Sequence, residues 1–396
     1  MDVTSQHPNY QNLLENIVAS AKEKDYAGYG KFDALNSPVL EVMSLNDPWL
    51  RLILIQLVKE CPFHVRPFLG VRISRNPKGI ALFARTYLFL YQLTQKKEFL
   101  TEARNLLDWL LANPSPDQDH LCWGYNFIWQ DIPPFLQNRH EPNCIVTIFA
   151  GEAFVHAYRV TREDQYLKTA RNIADFILRD LPVLYENREE RGIGYILGPA
   201  ASIVLNSQVL SGALLTKIGK HTGEKELIQD AVKQLNYTFN RRTEYGAWYY
   251  TDPPGKSPIR HDNYHTGGIL DGFLEFFEET KDDRYQNGYW QGLDYYQRHL
   301  FEKDGAPRWM SDRRYPYDVH GAAQGIISFT KAGRYKKEYR PQARMILDWT
   351  IQYLYRKKTR DFIYRQGRFM KWNYSLMRWC NAWMARALAE FCIVVE

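Results

Sequence analysis

The chain has 396 residues, with 51 Lys and Arg against 45 Asp and Glu, a formal charge of +6, and 15% aromatic residues, including 27 Tyr and 11 Trp. The basic excess is mild and dispersed, which excludes a nucleic-acid footprint, and the five cysteines form no C-x-x-C, which excludes a disulfide framework or a zinc pattern. No apolar run reaches the roughly 18 residues of a membrane span, and the polar start MDVTSQHPNY lacks an apolar signal core, so a reduced, cytoplasmic setting is expected.

In chain order, the first helices expected are YQNLLENIVASAKEK (10–24) and DPWLRLILIQLVKE (47–60). From Asn76 onwards the chain repeats itself. Segments starting near Asn76, Asn143, Ser202, Asp262, Asp318 and Ser375 are spaced 67, 59, 60, 56 and 57 residues apart. Each opens with a polar or Gly-containing turn and continues as an apolar helix rich in small residues, such as NYHTGGILDGFLEFFEET. A helix that is apolar nearly all round belongs inside a core. After each of the first five comes a short turn and an amphipathic helix with one wet face, such as DQYLKTARNIADFILRDL. Loops rich in Trp, Tyr and Gly follow, among them LCWGYNFIWQDIPP and YGAWYYTDPPGK.

Six inner helices and five outer ones leave one outer helix to find, and an N-terminal helix can supply it. The expectation is an all-α, single-domain (α/α)6 toroid in which residues 1–75 complete a ring of repeats formed by 76–396. An open solenoid of tetratricopeptide type would repeat near 34 residues, well short of these spacings. In a closed ring the inner helices all run the same way. Their N-termini, which suit anions, and the aromatic loops then converge on one mouth, a plausible ligand cleft.

Candidate chemistry lies at these helix starts. His265 and His320 sit at equivalent positions in neighbouring repeats, each two residues into its helix, and neither is needed for a cap. Tyr264, Asp262 and Asp318 accompany them, with Asp271 two turns further on; Asp262 and Asp318 are also good N-cap residues. Asn143, Asn206, Gln324 and Asn381 offer hydrogen bonds to a ligand. Arg260, Arg313, Arg314 and Arg378 are candidates for bidentate pairing with a carboxylate. Trp123, Tyr125, Trp129, Trp248, Tyr249, Trp309, Tyr317 and Trp372 offer aromatic faces to a sugar. D-D-x-x-D, H-E-x-x-H, Cys–His zinc constellations and Gly-rich dinucleotide turns are absent, so neither metal nor cofactor is expected.

At the level of repeats, residues 76–396 resemble the six-hairpin, glycan-active superfamily of glycoside hydrolases, unsaturated uronyl hydrolases, N-acylglucosamine epimerases and the helical halves of polysaccharide lyases and uronyl epimerases. More locally, EYGAWYYTDPPGKSPIRHDNYHTGGI resembles the last repeat of the D-glucuronyl 5-epimerases, where a Tyr-bearing loop leads to an Arg-x-Asp-Tyr-His-Thr helix start. The matching positions are Arg260, Asp262, Tyr264, His265 and Thr266, with Asn263 inserted and the motif in the fourth repeat instead of the last. KFDALNSP and VRPFLGVRISRNPKG resemble proteins encoded in bacterial polysaccharide gene clusters. The resemblance implies an oligosaccharide or polysaccharide precursor as partner.

Three readings follow. The first is proton abstraction at carbon 5 of a uronate, by epimerisation or β-elimination, with an Arg on the carboxylate, His265 or His320 as base, and Tyr264, Tyr249 or Tyr317 as acid. The second is glycoside hydrolysis by two carboxylates drawn from Asp262, Asp271, Asp318, Glu141 and Glu152. The third is glycan binding or scaffolding without turnover.

Overall fold

The computed structural model describes residues 9–395. Helices α1 (Tyr10–Glu23), α2 (Pro38–Met43) and α3 (Pro48–Glu60) come first. The pairs α4 (Pro77–Thr94) and α5 (Lys97–Ala112), α6 (Cys144–Thr161) and α7 (Asp164–Asp175), and α8 (Leu205–Thr222) and α9 (Lys225–Phe239) follow. After them come α10 (Asn263–Thr280) and α11 (Gln286–Leu300), α12 (Val319–Ala332) and α13 (Arg340–Leu354), and α14 (Trp383–Val395), which a π-helical turn, Met377–Ala382, precedes.

The inner helices close a ring. α4 packs on α6, α6 on α8, α8 on α10, α10 on α12, α12 on α14, and α14 returns to α4. Each of the first five packs against the outer helix that follows it, and α1 covers α14. The architecture is an (α/α)6 toroid. Of the two N-terminal helices expected from the sequence, α1 is thus the missing outer member. α3 packs elsewhere, on a 3-10 turn at Ala34–Asn36 and on the short strand Trp129–Gln130. The aromatic loops also form small antiparallel ribbons that helical periodicity does not reveal. One pairs Trp129–Gln130 with Leu136–Gln137, and another sets Arg365–Gln366 between Tyr317–Asp318 and Lys371–Trp372. These ribbons satisfy backbone groups that a buried loop would otherwise leave unpaired.

A local device recurs where inner helices end. Thr94, Thr161, Thr222 and Thr280 each bond the carbonyl four residues back at 2.7–3.1 Å. Each also accepts the N–H two residues ahead at 3.1–3.4 Å. The intervening residue, Gln95, Arg162, Gly223 or Lys281, is left-handed and turns the chain into the outer helix.

Small residues let the inner helices approach closely. A Cβ at Gly272 of α10 would stand 2.3 Å from Val209 Cγ1 and 3.0 Å from the Val209 carbonyl oxygen of α8. Backbone cannot yield as a flexible side chain does, so Gly272→Ala is expected to cost about 1–3 kcal/mol, read as a lower urea midpoint with an unchanged slope.

Below the mouth, the ring axis is ionic. Charges alternate around it: Arg85 of α4, Glu152 of α6, Lys217 of α8, Glu275 of α10, Lys331 of α12, then the Arg386–Glu390 pair of α14. Lys217 Nζ lies 2.6 Å from Glu152 and 2.7 Å from Glu275. Burial works against ionisation of Glu275, yet Lys217 and Lys331 hold its carboxyl well below the ordinary range.

Candidate functional site

A cavity of about 610 Å³ opens at the N-terminal end of the inner helices. The second residue of each inner segment lines it: Lys78, Ile145, Asn206, Tyr264, His320 and, from the π-turn, Arg378. One turn deeper, Phe149, Leu210, Gly268, Gln324 and Trp383 form a second tier. The two tiers follow from the common direction of the helices, since residues at equal distance from each start come to equal depth.

Five rings follow one another in contact along the wall. Tyr250 lies 4.1 Å from His265, His265 4.3 Å from Tyr264, Tyr264 4.5 Å from His320, and His320 4.2 Å from Trp383, centroid to centroid. Tyr264 and His320 are nearly parallel, at 9°. The two histidines are therefore not equivalent, contrary to the expectation from the sequence spacing: α10 begins at Asn263, so Tyr264 is the counterpart of His320 and His265 stands one position further on.

The two histidines differ chemically. Asp262 occupies the N-cap position of α10 but its side chain caps nothing. Its carboxylate instead meets His265 Nδ1 at 2.9–3.0 Å. With the proton held on Nδ1, Nε2 carries the free lone pair, as a general base requires. His320 has a buried Nδ1 without a hydrogen-bond partner. Burial, together with Lys78, Arg378, Lys31 and His265, pushes its pKa well below the ordinary value, so it is neutral at pH 7. Burial and the nearby carboxylates of Asp262 and Asp318 raise the Tyr264 phenol well above 10, so it keeps its proton.

Cations gather around these rings. Lys31, Lys59, Lys78, Arg313, Arg365 and Arg378 all line the cavity, against two carboxylates among the described residues, Glu60 and Asp131. Lys31 is buried with its ammonium 3.7 Å from the centre of the Trp379 ring. The buried Arg66–Asp33 pair, 2.8 Å apart, fixes the loop that presents it, and Arg66 Nη2 also bonds the Lys31 carbonyl. KFDALNSP and VRPFLG thus meet behind the cavity wall. Burial pushes the Lys31 pKa down to about 7; Asp318 opposes the shift, while Lys59 and Arg365 add to it. Burial, with Arg378, lowers the Lys78 ammonium well below its ordinary value. Burial works to raise the Glu60 carboxyl, but Arg365 and Lys59 hold it below its usual pKa.

The protonated form of Lys31 is the one that attracts an anion, and it is lost as pH rises through about 7. Affinity of the cavity for a small carboxylate probe, measured by calorimetry, is accordingly expected to fall as pH rises from about 6 to about 8.5. A bound carboxylate moves the midpoint upwards, and Lys31→Met flattens the profile.

Of the residues singled out from the sequence, the structure brings His265, His320, Tyr264, Arg313, Arg378, Tyr125, Trp129, Asn206, Trp309 and Gln324 to this cavity. Asp262 stands directly behind His265. Asp318 caps α12 through the His320 N–H at 2.9 Å and receives the Trp379 indole N–H at 2.7 Å. Asp271 lies deeper, taking the Gln324 amide at 2.9 Å.

The remaining candidates serve elsewhere. Trp123 and Trp248 are fully buried and donate to the carbonyls of Leu110 and Thr238 at 2.9 Å. Asn143 caps α6, and Asn381 accepts the Phe362 N–H. Trp372 donates to the Glu60 carbonyl. Tyr249 packs on His261 away from the mouth, and Tyr317 and Arg314 bond one another. Arg260 is exposed. Glu141 accepts the Asn138 N–H, and Glu152 belongs to the ionic axis. The sequence reading missed Lys31, Lys59, Lys78, Arg365, Trp379 and Trp383. A signal for Lys78 was present, because counting every inner helix from its own start places it level with His320.

No protein-family model matches the chain, and no curated protein matches it. Solved structures do. A sugar epimerase from a ruminal bacterium matches with a TM-score of 0.65 at 12% identity, covering 83% of this chain and 91% of its own. Cellobiose 2-epimerase from Bacillus thermoamylovorans B4167 matches at 0.62 and 11%, covering 81% and 90%. An unsaturated glucuronyl hydrolase specific for heparin matches at 0.59 and 16%, covering 82% and 88%. At these identities the likeness shows the shared (α/α)6 fold.

Proposed function

We propose that the chain is a carbohydrate-active enzyme that moves the carbon-5 proton of a uronate in an acidic glycan, as an epimerase or a lyase. The observation that carries this reading is the placement of His265, held by Asp262, and His320 on either side of Tyr264, in a cavity lined by six Lys and Arg side chains. The names of the solved neighbours, two sugar epimerases and a glucuronyl hydrolase, agree with a saccharide substrate.

Loss of a carbon-5 proton puts negative charge on the sugar carboxylate. Cations at the carboxylate stabilise that charge more in the transition state than in the ground state, and a shielded site strengthens the effect. Arg365, Arg378 and the protonated form of Lys31 are available for this role. His265 Nε2 takes the proton. The Tyr264 phenol, which stays protonated, returns one to the opposite face, giving the epimer. Where carbon 4 carries a leaving group, the same enolate expels it and a lyase results.

A hydrolase needs two carboxylates flanking the scissile bond, one of them protonated. The carboxylates weigh against it: of the two that line the cavity, Glu60 is held ionised by Arg365 and Asp131 accepts the Ile132 N–H, while Asp262, Asp271 and Asp318 lie outside the lining and face other protein groups. The deciding experiment is turnover of glucuronate-containing oligosaccharides in heavy water. Deuterium at carbon 5 without new reducing ends is expected of an epimerase, and unsaturated ends of a lyase. New saturated reducing ends without exchange would overturn the proposal in favour of hydrolysis. No change in the glycan at all would leave a binding protein.

A further inference from the structure

The outer surface of α2, α3 and the segment after them is apolar to an unusual degree. Trp49, Ile53 and Leu57 form an i, i+4, i+8 stripe on α3 and are 57%, 51% and 64% exposed, while Leu45, Phe63 and Phe68 beside them reach 76%, 76% and 91%. Monomeric proteins rarely leave so many large apolar side chains together in water. The opposite face of α3 packs inward, and Leu52, Gln56, Lys59 and Glu60 line the cavity itself.

The patch continues onto the hairpin that joins Arg365–Gln366 to Lys371–Trp372. Its tip reads Arg368-Phe369-Met370-Lys371, all exposed, with Phe369 at 86%. The hairpin is tied to the end of α3: Arg365 Nη2 bonds the Lys59 carbonyl at 3.1 Å and the Glu60 carboxylate at 2.6 Å, and the Trp372 indole bonds the Glu60 carbonyl at 3.0 Å.

Charge decides which partner fits. Three acids lie within α2 and α3 and the turn between them, and each is engaged. Glu41 pairs with Arg139, Asp47 caps α3 through the Leu50 N–H, and Glu60 pairs with Arg365. Arg51, Arg72, Arg368 and Lys371 remain as a basic border. A two-fold contact with a second copy would set this border against itself, which like charge disfavours. An apolar face with Trp and Phe, bordered by Lys and Arg whose stems reach back to water, is the arrangement that lies in a lipid headgroup region. Among the described residues no helix is long and apolar enough to cross a membrane, so the contact would be interfacial.

We infer that this face docks on an anionic lipid bilayer. The inference concerns where the protein works and does not depend on the reaction proposed above.

The test is co-sedimentation of the full chain with vesicles of phosphatidylcholine alone and of phosphatidylcholine and phosphatidylglycerol at about three to one. Binding to the anionic vesicles, weakening with added salt, is expected. The partition coefficient should fall about tenfold or more in Ile53→Ser/Phe369→Ser and in Arg368→Glu/Lys371→Glu. These side chains are exposed, so circular dichroism should stay unchanged. Failure to bind either vesicle, or binding indifferent to both double variants, would overturn the proposal. So would a dimer in sedimentation equilibrium that Ile53→Ser disperses, because it would assign the face to a second copy. Absence of carbon-5 exchange leaves the vesicle result standing.

Discussion

His265→Gln is expected to reduce carbon-5 exchange by about 10²- to 10⁴-fold, the range associated with loss of a positioned general base. The substitution suits the site. A Gln amide can still donate to Asp262, so the buried carboxylate keeps a partner, while no titratable nitrogen faces the sugar. Asp262→Asn leaves the imidazole in place but removes the carboxylate charge and lets an amide N–H donate to Nδ1, which moves the imidazole proton to Nε2. A large fall in turnover with little change in KM should follow, because the lost interaction serves the transition state. Exchange rates by nuclear magnetic resonance, with circular dichroism as a check on folding, measure both. A His265→Gln enzyme within about threefold of the parent, against the range above, would move the base to His320.

The second large effect lies beneath the cavity. Lys217→Met should destabilise the protein by about 3–5 kcal/mol, the usual cost of breaking a buried ion pair from one side. Glu152 loses its nearest cation and Glu275 one of its two, leaving Arg85 at 3.4 Å and Lys331 at 2.5 Å as their remaining partners. The pH dependence has a defined sign. The Glu275 carboxyl is depressed in the folded protein, so its contribution is complete above the ordinary value of 4.5 and is lost as pH falls towards the depressed one. In Lys217→Met that acid-side loss should be smaller and should be complete at a higher pH, because the folded-state value is less depressed. Urea denaturation at neutral and acidic pH reads both effects. A variant as stable as the parent would mean that the alternating axis contributes nothing net.

The two effects belong to one construction. Alternating charges join neighbouring inner helices at mid-height, and a polar tier sits above them at the helix starts. The axis fixes how the six helices meet, and the catalytic candidates are held at the depth that each helix start dictates. This explains why Asp271, two turns into α10, joins the structural network through Gln324 and Lys331 and does not reach the open cavity.

The ring was legible in the amino-acid order because it depends on local periodicity. Apolar helices recurring at intervals of 56 to 67 residues, each followed by an amphipathic partner, admit few other packings. The recurrent Thr before each left-handed turn is equally local. His265, His320 and Tyr264 were legible as well, since polar residues at the start of an otherwise buried helix need a reason to be there. The tryptophans were harder. Trp123 and Trp248 come from the same kind of aromatic loop as Trp129 and Trp309, and only packing sends the first two into the core.

What the sequence determined by itself was therefore the repeat, the closed helical ring and the end of it at which the cavity opens, because these follow from spacings within single helices. The tertiary structure alone decided that Asp262 orients a histidine instead of capping its helix. It also decided that a π-turn sets Arg378 and Trp383 level with the other repeats, and that Lys31, Lys59 and Arg365 share one cavity. Those three cations lie as much as 334 residues apart along the chain. Their meeting depends on closure of the ring and on the Arg66–Asp33 pair and the Glu60–Arg365 pair that fasten the N-terminal segments over it, contacts between distant segments that no local pattern encodes.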